Sequence, residues 1–130
     1  MSNKLSICIE MIFSDFPVIE RIEKVAEMGI NGIEFWGWKD KNLEEIEKKI
    51  KKLDLQLTAF TGSNNPLTDP EKTEAAVEDL KESVKIASDI NSRNVIVTVG
   101  AEQEGISRKK QHDNIVKVLQ EVAPDAEEAG

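Results

Sequence analysis

Few side chains in this sequence are placed to do chemistry. Glu34 stands inside the otherwise apolar stretch "GINGIEFWGW", Gly29 to Trp38, and both tryptophans of the chain, Trp36 and Trp38, follow it at alternate positions. On a strand that spacing sets the acid and the aromatics on one side, where they point together at whatever lies in front of the sheet. Glu10 ends a first alternating run, Leu5 to Glu10, and is a second acid near a strand end. The single histidine, His112, lies in "SRKKQHDN" without a second His, a Cys or a suitably spaced acid. It therefore reads as a solvated side chain rather than a metal ligand or general base. Arg108 to Lys110 could meet a phosphate near a helix start, and Gly62, Gly100 and Gly105 could bring backbone amides to an anion; a solvated charge run and ordinary turns are the plainer readings. The lone Cys8 cannot pair within the chain and sits among apolar residues, as a reduced, buried small side chain would.

These residues need elements to hold them, and the apolar period switches repeatedly between two and about 3.6. Leu5 to Ile12 starts as a strand. Asp15 is the expected N-cap of a first helix, with Pro17 in its first turn and Ile19, Ile22, Val25 and Ala26 as a stripe ending at Gly29. A second strand is expected from Gly32 to Trp38. Asn42 should cap the next helix, with Glu45 in the capping-box position and Leu43, Ile46, Ile50 and Leu53 buried. "LQLTAFTG" gives a third strand from Leu55 to about Thr61, followed by the loop "GSNNPLTDP". Thr68 is the expected cap of the third helix because Glu71 then completes a capping box, whereas Asp69 would place Lys72 there. That helix carries Ala76, Leu80, Val84 and Ala87 on one face and gives way near Asn91. A fourth strand is expected from Asn94 to Val99, ending at Gly100. After a polar loop to Ser107, a last helix should bury Ile115, Val118, Leu119 and Val122 and break near Pro124.

The order βαβαβαβα implies a parallel sheet covered by helices with right-handed crossovers. Ser6, Cys8 and Glu10 share one side of the first strand, Glu34, Trp36 and Trp38 one side of the second, and Ile96, Thr98 and Gly100 one side of the fourth. The opposite sides, Leu5/Ile7/Ile9, Ile33/Phe35 and Val95/Val97/Val99, are apolar and suit packing beneath helices. An open doubly wound sheet would be apolar on both faces. One apolar and one mixed face, with acids toward the strand C-termini, fits the wall of a barrel whose lumen opens on a site at its C-terminal mouth.

Composition narrows the classes. The chain has 130 residues, 39% of them hydrophobic and 32% charged, enough for a single globular domain over 1–130. With 17 basic and 25 acidic residues its formal charge is −8, which repels a phosphate backbone and argues against nucleic acid as a partner. Neither a secretory h-region nor an apolar run near the ~18 residues of a membrane span is present, so a cytoplasmic protein with no membrane partner is expected.

The stretch "LSICIEMIFSDFPVIERIEKVAEMGINGIEFWGW", followed by a helix and "LQLTAFTG", resembles the start of hydroxypyruvate isomerase and related sugar isomerases and epimerases of the xylose isomerase-like (β/α)8 barrels. The resemblance runs through "VTVG" and "EVAPDAEEAG". A TIM barrel takes about 250 residues, so the resemblance implies an α/β fold that is the (βα)4 half of such a barrel: a parallel four-stranded sheet with helices on its outer face. It also implies metal-assisted aldose–ketose interconversion of a small sugar or hydroxy-keto acid in the full-length enzyme. The divalent metal, Mn or Mg, and the proton-shuttling glutamates of that family come mainly from the second half. This chain is therefore expected to hold no catalytic residue, metal ligand or cofactor, and to be inactive alone. Glu10, Glu34 and Trp36 carry over as substrate-binding residues of the pocket wall. For Glu10, the weaker candidate, a solvent-exposed place at the strand end is the alternative, for Glu34 a lumen acid paired with a neighbouring strand, for Trp36 lumen packing, and Trp38 is expected at the surface.

Two further readings stay open. A ketose 3-epimerase or sugar-phosphate isomerase would share the same half, and a self-assembling half-barrel scaffold would have no chemistry. Open edge strands would favour self-association, two copies supplying eight strands as a homodimer.

Overall fold

The computed structural model describes residues 4–130. The elements are β1 (Ser6–Cys8), α1 (Val18–Glu27), β2 (Gly32–Phe35), α2 (Leu43–Lys52), β3 (Gln56–Thr61), α3 (Thr73–Asp89), β4 (Val95–Ile96) and α4 (Arg108–Ala129), with a 3-10 turn, Pro70–Lys72, leading into α3. The strands lie in the order β1-β2-β3-β4. The chain divides into two compact units, Met1–Phe60 with Ile90–Asn94, and Thr61–Asp89 with Val95–Gly130.

In the first unit β1 pairs β2 in parallel from Ser6↔Gly32 to Cys8↔Glu34, and β2 pairs β3 from Gly32↔Gln56 to Phe35↔Phe60. Ile33, Leu57, Phe35 and Phe60 are buried, and the two phenylalanine rings stack with centroids 5.8 Å apart. Helices α1 and α2 contribute Ile22, Val25, Ile46 and Ile50 to the same unit's core. Burial of such side chains, about 1.5–3 kcal/mol each, is what holds these short amphipathic helices in place. Gly32 is required by space: a Cβ there would lie 2.8 Å from Thr58 Cγ2 and 3.2 Å from Ser6. Across the bare glycine Ser6 Oγ and Thr58 Oγ1 share a hydrogen bond of 2.6 Å. A register irregularity at Ile33/Glu34 then aligns Glu34 with Ala59.

The second unit begins where β3 ends. The Gly62 amide donates to Ile96 O at 3.0 Å, and its carbonyl accepts from the buried Ser83 hydroxyl at 2.6 Å. Leu67, Ala76, Val77, Leu80, Val118 and Val122 form the core beneath α3 and α4. The buried stripe of α4 runs Gln111, Asn114, Val118, Val122, a helical spacing whose first half is polar. Gln111 donates to Gln103 O and Ile106 O and accepts from the Gln103 amide. Asn114 donates to Leu67 O and accepts from the Thr73 hydroxyl. These side chains face loop backbone, whose polar groups need partners once buried.

Several local expectations are corrected. Asp15 does not cap α1: Pro17 takes the N-cap place with no side-chain cap, its φ being suited to a helix entry. Asn42 does cap α2, accepting from the Glu45 amide at 3.2 Å. Thr68 does not cap the third helix: Asp69 caps the 3-10 turn that leads into α3, accepting from the Glu71 amide, while Thr68 donates to Ala101 O at 2.7 Å. A tertiary partner for the threonine hydroxyl outweighs the local capping box. β2 ends at Phe35, not Trp38, because the chain bends at Trp36 and turns over Trp38–Lys41, with Lys41 N donating to Trp38 O, to reach the Asn42 cap. β4 is confined to Val95–Ile96, and Val97 and Val99 are 37% and 43% exposed rather than packed beneath helices. Leu5 and Leu119 are likewise exposed. α4 passes through Pro124. The turn that contains the proline is tied to α3 by an ion pair between Lys81 and Asp125 at 3.0 Å.

Candidate functional site

Parallel α/β sheets place their sites beyond the strand C-termini, and in the first unit Glu10, Glu34 and Trp36 gather there. Glu34 sits on β2, half-buried, its backbone aligned with Cys8 on one side and Ala59 on the other. Those neighbours are too small and apolar to pair with an acid. Among the described residues the Glu34 carboxylate makes no hydrogen bond or ion pair. Trp36 follows at the strand end with 57% of its surface exposed. Trp38 is half-buried in the turn beyond, the reverse of the expected exposure order.

Glu10 is not in solvent. It lies just past β1 with its side chain 16% exposed, Oε1 2.7 Å from Lys41 Nζ and Oε2 3.3 Å from Arg21 Nη1. Lys41 is 5% exposed, also reaches Asp40 at 3.1 Å, and places its ammonium 5.3 Å from the Phe35 ring centroid. Arg21 donates to the carbonyls of Phe16, Ser14 and Ile9 at 2.6, 2.9 and 3.3 Å. Sequence reasoning missed Arg21 and Lys41. One lies on the polar side of α1 and the other in a charged turn, and neither position carries a local signal for a partner 11 or 31 residues away.

In the second unit the loop after β4 and the start of α4 line an open groove of about 690 Å³ with Gly100, Arg108, Lys109 and His112 on its walls. Gly100 has φ +87° and a Cβ there would lie 2.6 Å from Pro66. Arg108 and Lys109 are 91% and 85% exposed, and Lys109 pairs with Asp113 at 2.6 Å. Gly62 is buried in strand packing and does not line the groove. His112 is exposed. Among the described residues no group of three or more His, Cys, Asp or Glu side chains could hold a metal ion. The donors present do not fit the divalent metal that the resemblance implies, and no step through a metal follows from this chain. No helix among the described residues is long and apolar enough to cross a membrane.

Parallel βα units with helix-covered apolar faces and acids at the strand ends define the barrel class of α/β protein, and this fold matches half of a TIM barrel. The chain belongs to the xylose isomerase-like TIM barrel family, whose model matches residues 22–130. AP endonuclease, family 2, from Brucella melitensis superposes with a TM-score of 0.84 at 18% identity, over 96% of this chain and 53% of that one. A sugar phosphate isomerase/epimerase from Parabacteroides distasonis gives 0.76 at 10% identity, over 98% and 48%. The apo form of 3-keto-D-glucoside 4-epimerase from E. coli gives 0.76 at 18%, over 88% and 49%. This chain thus spans about half the length of the solved structures it resembles. No curated protein sequence matches it.

Proposed function

We propose that this chain is the substrate-binding half of a sugar isomerase or epimerase, of the hydroxypyruvate isomerase type, acting on a small sugar or hydroxy-keto acid. The observation that carries the reading is Glu34: a half-buried carboxylate without a partner among the described residues, next to the exposed indole of Trp36 at the end of β2. Leaving an acid unpaired in a partly buried place costs free energy unless something else meets it. Sugar hydroxyls donate well to a carboxylate, and the apolar face of a sugar carbon chain packs against an indole. Proton transfer beside a carbonyl needs a base and an electrophile in reach of the substrate, and those groups belong to residues outside this chain. Two of the structural neighbours are named as an isomerase/epimerase and as a 4-epimerase, which supports the class and leaves a ketose 3-epimerase or a sugar-phosphate isomerase as the closest variants of the reading. The endonuclease name of another neighbour is not carried over, because a net charge of −8 opposes a DNA partner.

The test is a fluorescence titration of the purified chain with hydroxypyruvate and with ketoses, both tryptophans lying at the proposed site, alongside an assay of hydroxypyruvate turnover. The expected result is a saturable change in tryptophan emission, at least ~10-fold weaker in Glu34→Gln, with no turnover by the chain alone. Identical titrations of wild type and variant, or no response at any concentration, would overturn the pocket assignment.

A further inference from the structure

The loops that follow β1 and β2 are joined by charge. We propose that Arg21, Glu10 and Lys41 form a clamp that locks the β1 loop to the β2 loop, and that they are positioning residues for Trp36 and Glu34; its consequence for ligand binding rests on the pocket reading above.

Arg21 is the hub. Its guanidinium gathers the Ile9, Ser14 and Phe16 carbonyls and Glu10 Oε2, so one planar fork fixes both ends of the loop between β1 and α1. Such a fork presents its donors in a rigid geometry that a lysine cannot reproduce. The loop it holds is strained: Phe13 has φ 56°, in the left-handed region that a bulky residue seldom enters. Strain of this kind persists where the surroundings over-determine the conformation. Lys24 Nζ lies 4.1 Å from the Phe16 ring centroid and 5.8 Å from that of Phe13, and the two rings meet edge to face.

From Arg21 the connection passes through Glu10 to Lys41. The lysine ammonium takes the second Glu10 oxygen at 2.7 Å, and its own backbone amide closes the Trp38–Lys41 turn. The turn lies two residues beyond Trp36. A buried ion pair adds little net stability over an apolar pair of the same shape, because desolvation offsets the attraction, but it admits fewer geometries. Three charged side chains, all 16% exposed or less, are thus placed where they define loop position more than they strengthen the core.

The experiment combines hydrogen exchange by mass spectrometry with acrylamide quenching of tryptophan fluorescence on the full chain. Lys41→Met keeps an unbranched stem over Phe35 and removes the charge. Exchange in residues 9–16 and 36–41 is expected to quicken roughly 10-fold and quenching to rise about 2-fold, with protection of β3 retained. Glu10→Gln should give the same pattern, and the double variant should be no worse in the loops than either single change, since both remove one linkage. Unchanged loops and quenching would overturn the clamp, as would equal acceleration in α1, α2 and β3, which marks a general loss of stability. Should Lys41→Met not fold, Arg21→Lys carries the same test in residues 9–16, with unchanged exchange again the refuting result. Failure of the pocket reading would look different: wild type would not respond to sugars, while the loop effects of these variants would persist.

Discussion

Replacing Asn114 by leucine isolates what a buried polar residue contributes to α4. The side chain is 9% exposed; Nδ2 donates to Leu67 O at 2.9 Å and lies 3.4 Å from Asp69 O, and Oδ1 accepts from Thr73 Oγ1 at 2.7 Å. Leucine has a similar volume, so the packing cost is small. The Thr73 hydroxyl keeps the Pro70 carbonyl at 3.0 Å as an acceptor. The Leu67 carbonyl, on a residue with no exposed surface, loses its side-chain donor, and stranding such an acceptor costs about 1–3 kcal/mol. The expected destabilisation is therefore about 2 kcal/mol, which at a urea m-value of about 2 kcal/mol/M lowers the unfolding midpoint by about 1 M. Thr73→Val should cost about half as much, and the double variant less than the sum, because one hydrogen bond is counted in both singles. Urea unfolding followed by circular dichroism measures all three. An Asn114→Leu midpoint within about 0.3 M of wild type would refute the reasoning, since the Asn114 hydrogen bonds would then add little to what holds α4.

Two other perturbations test the geometry. Gly62→Ala would place a methyl 2.4 Å from Val95 Cγ1 and 3.0 Å from Leu80 Cδ2, in a backbone pinned at both its amide and its carbonyl; a loss of about 1–3 kcal/mol, read as a lower thermal midpoint, is expected, and an unchanged midpoint would show that β4 yields freely. Lys49 hydrogen-bonds Glu23 between α2 and α1 and holds its carboxyl below the usual glutamate range. A depressed folded value stabilises the protein above the unfolded value of about 4.3 and is lost as pH falls through the folded one. Glu23→Gln should therefore flatten the fall in thermal midpoint between pH 5 and about 3, and parallel curves for the two proteins would argue against the linkage.

The sequence by itself determined the number, type and order of the elements, because apolar period is a local property: Ile22 and Val25, or Ile46 and Ile50, bury their stripe wherever the helix docks. The Asn42 cap was legible for the same reason, its partner being three residues away. The acid at Glu34 and the neighbouring Trp36 could be picked out as candidates, since a charge in an apolar strand stands out against its surroundings.

The tertiary structure decided how far each element runs and what each polar group meets. β2 stops at Phe35 because the turn at Trp38–Lys41 must deliver the chain to the Asn42 cap, and Asp69 caps where Thr68 was expected because Ala101 O, 33 residues away, takes the threonine. Gln111 and Asn114 carry no local mark of burial until loop carbonyls are brought against them, and nothing near Glu10 in the sequence shows the ion pairs it makes once Arg21 and Lys41 are folded onto it. The period of a sequence reports which side of an element is apolar. Hydrogen bonds and ion pairs between distant segments exist only once the backbone has brought their partners within about 3 Å, and those contacts set the loops in which the candidate site lies.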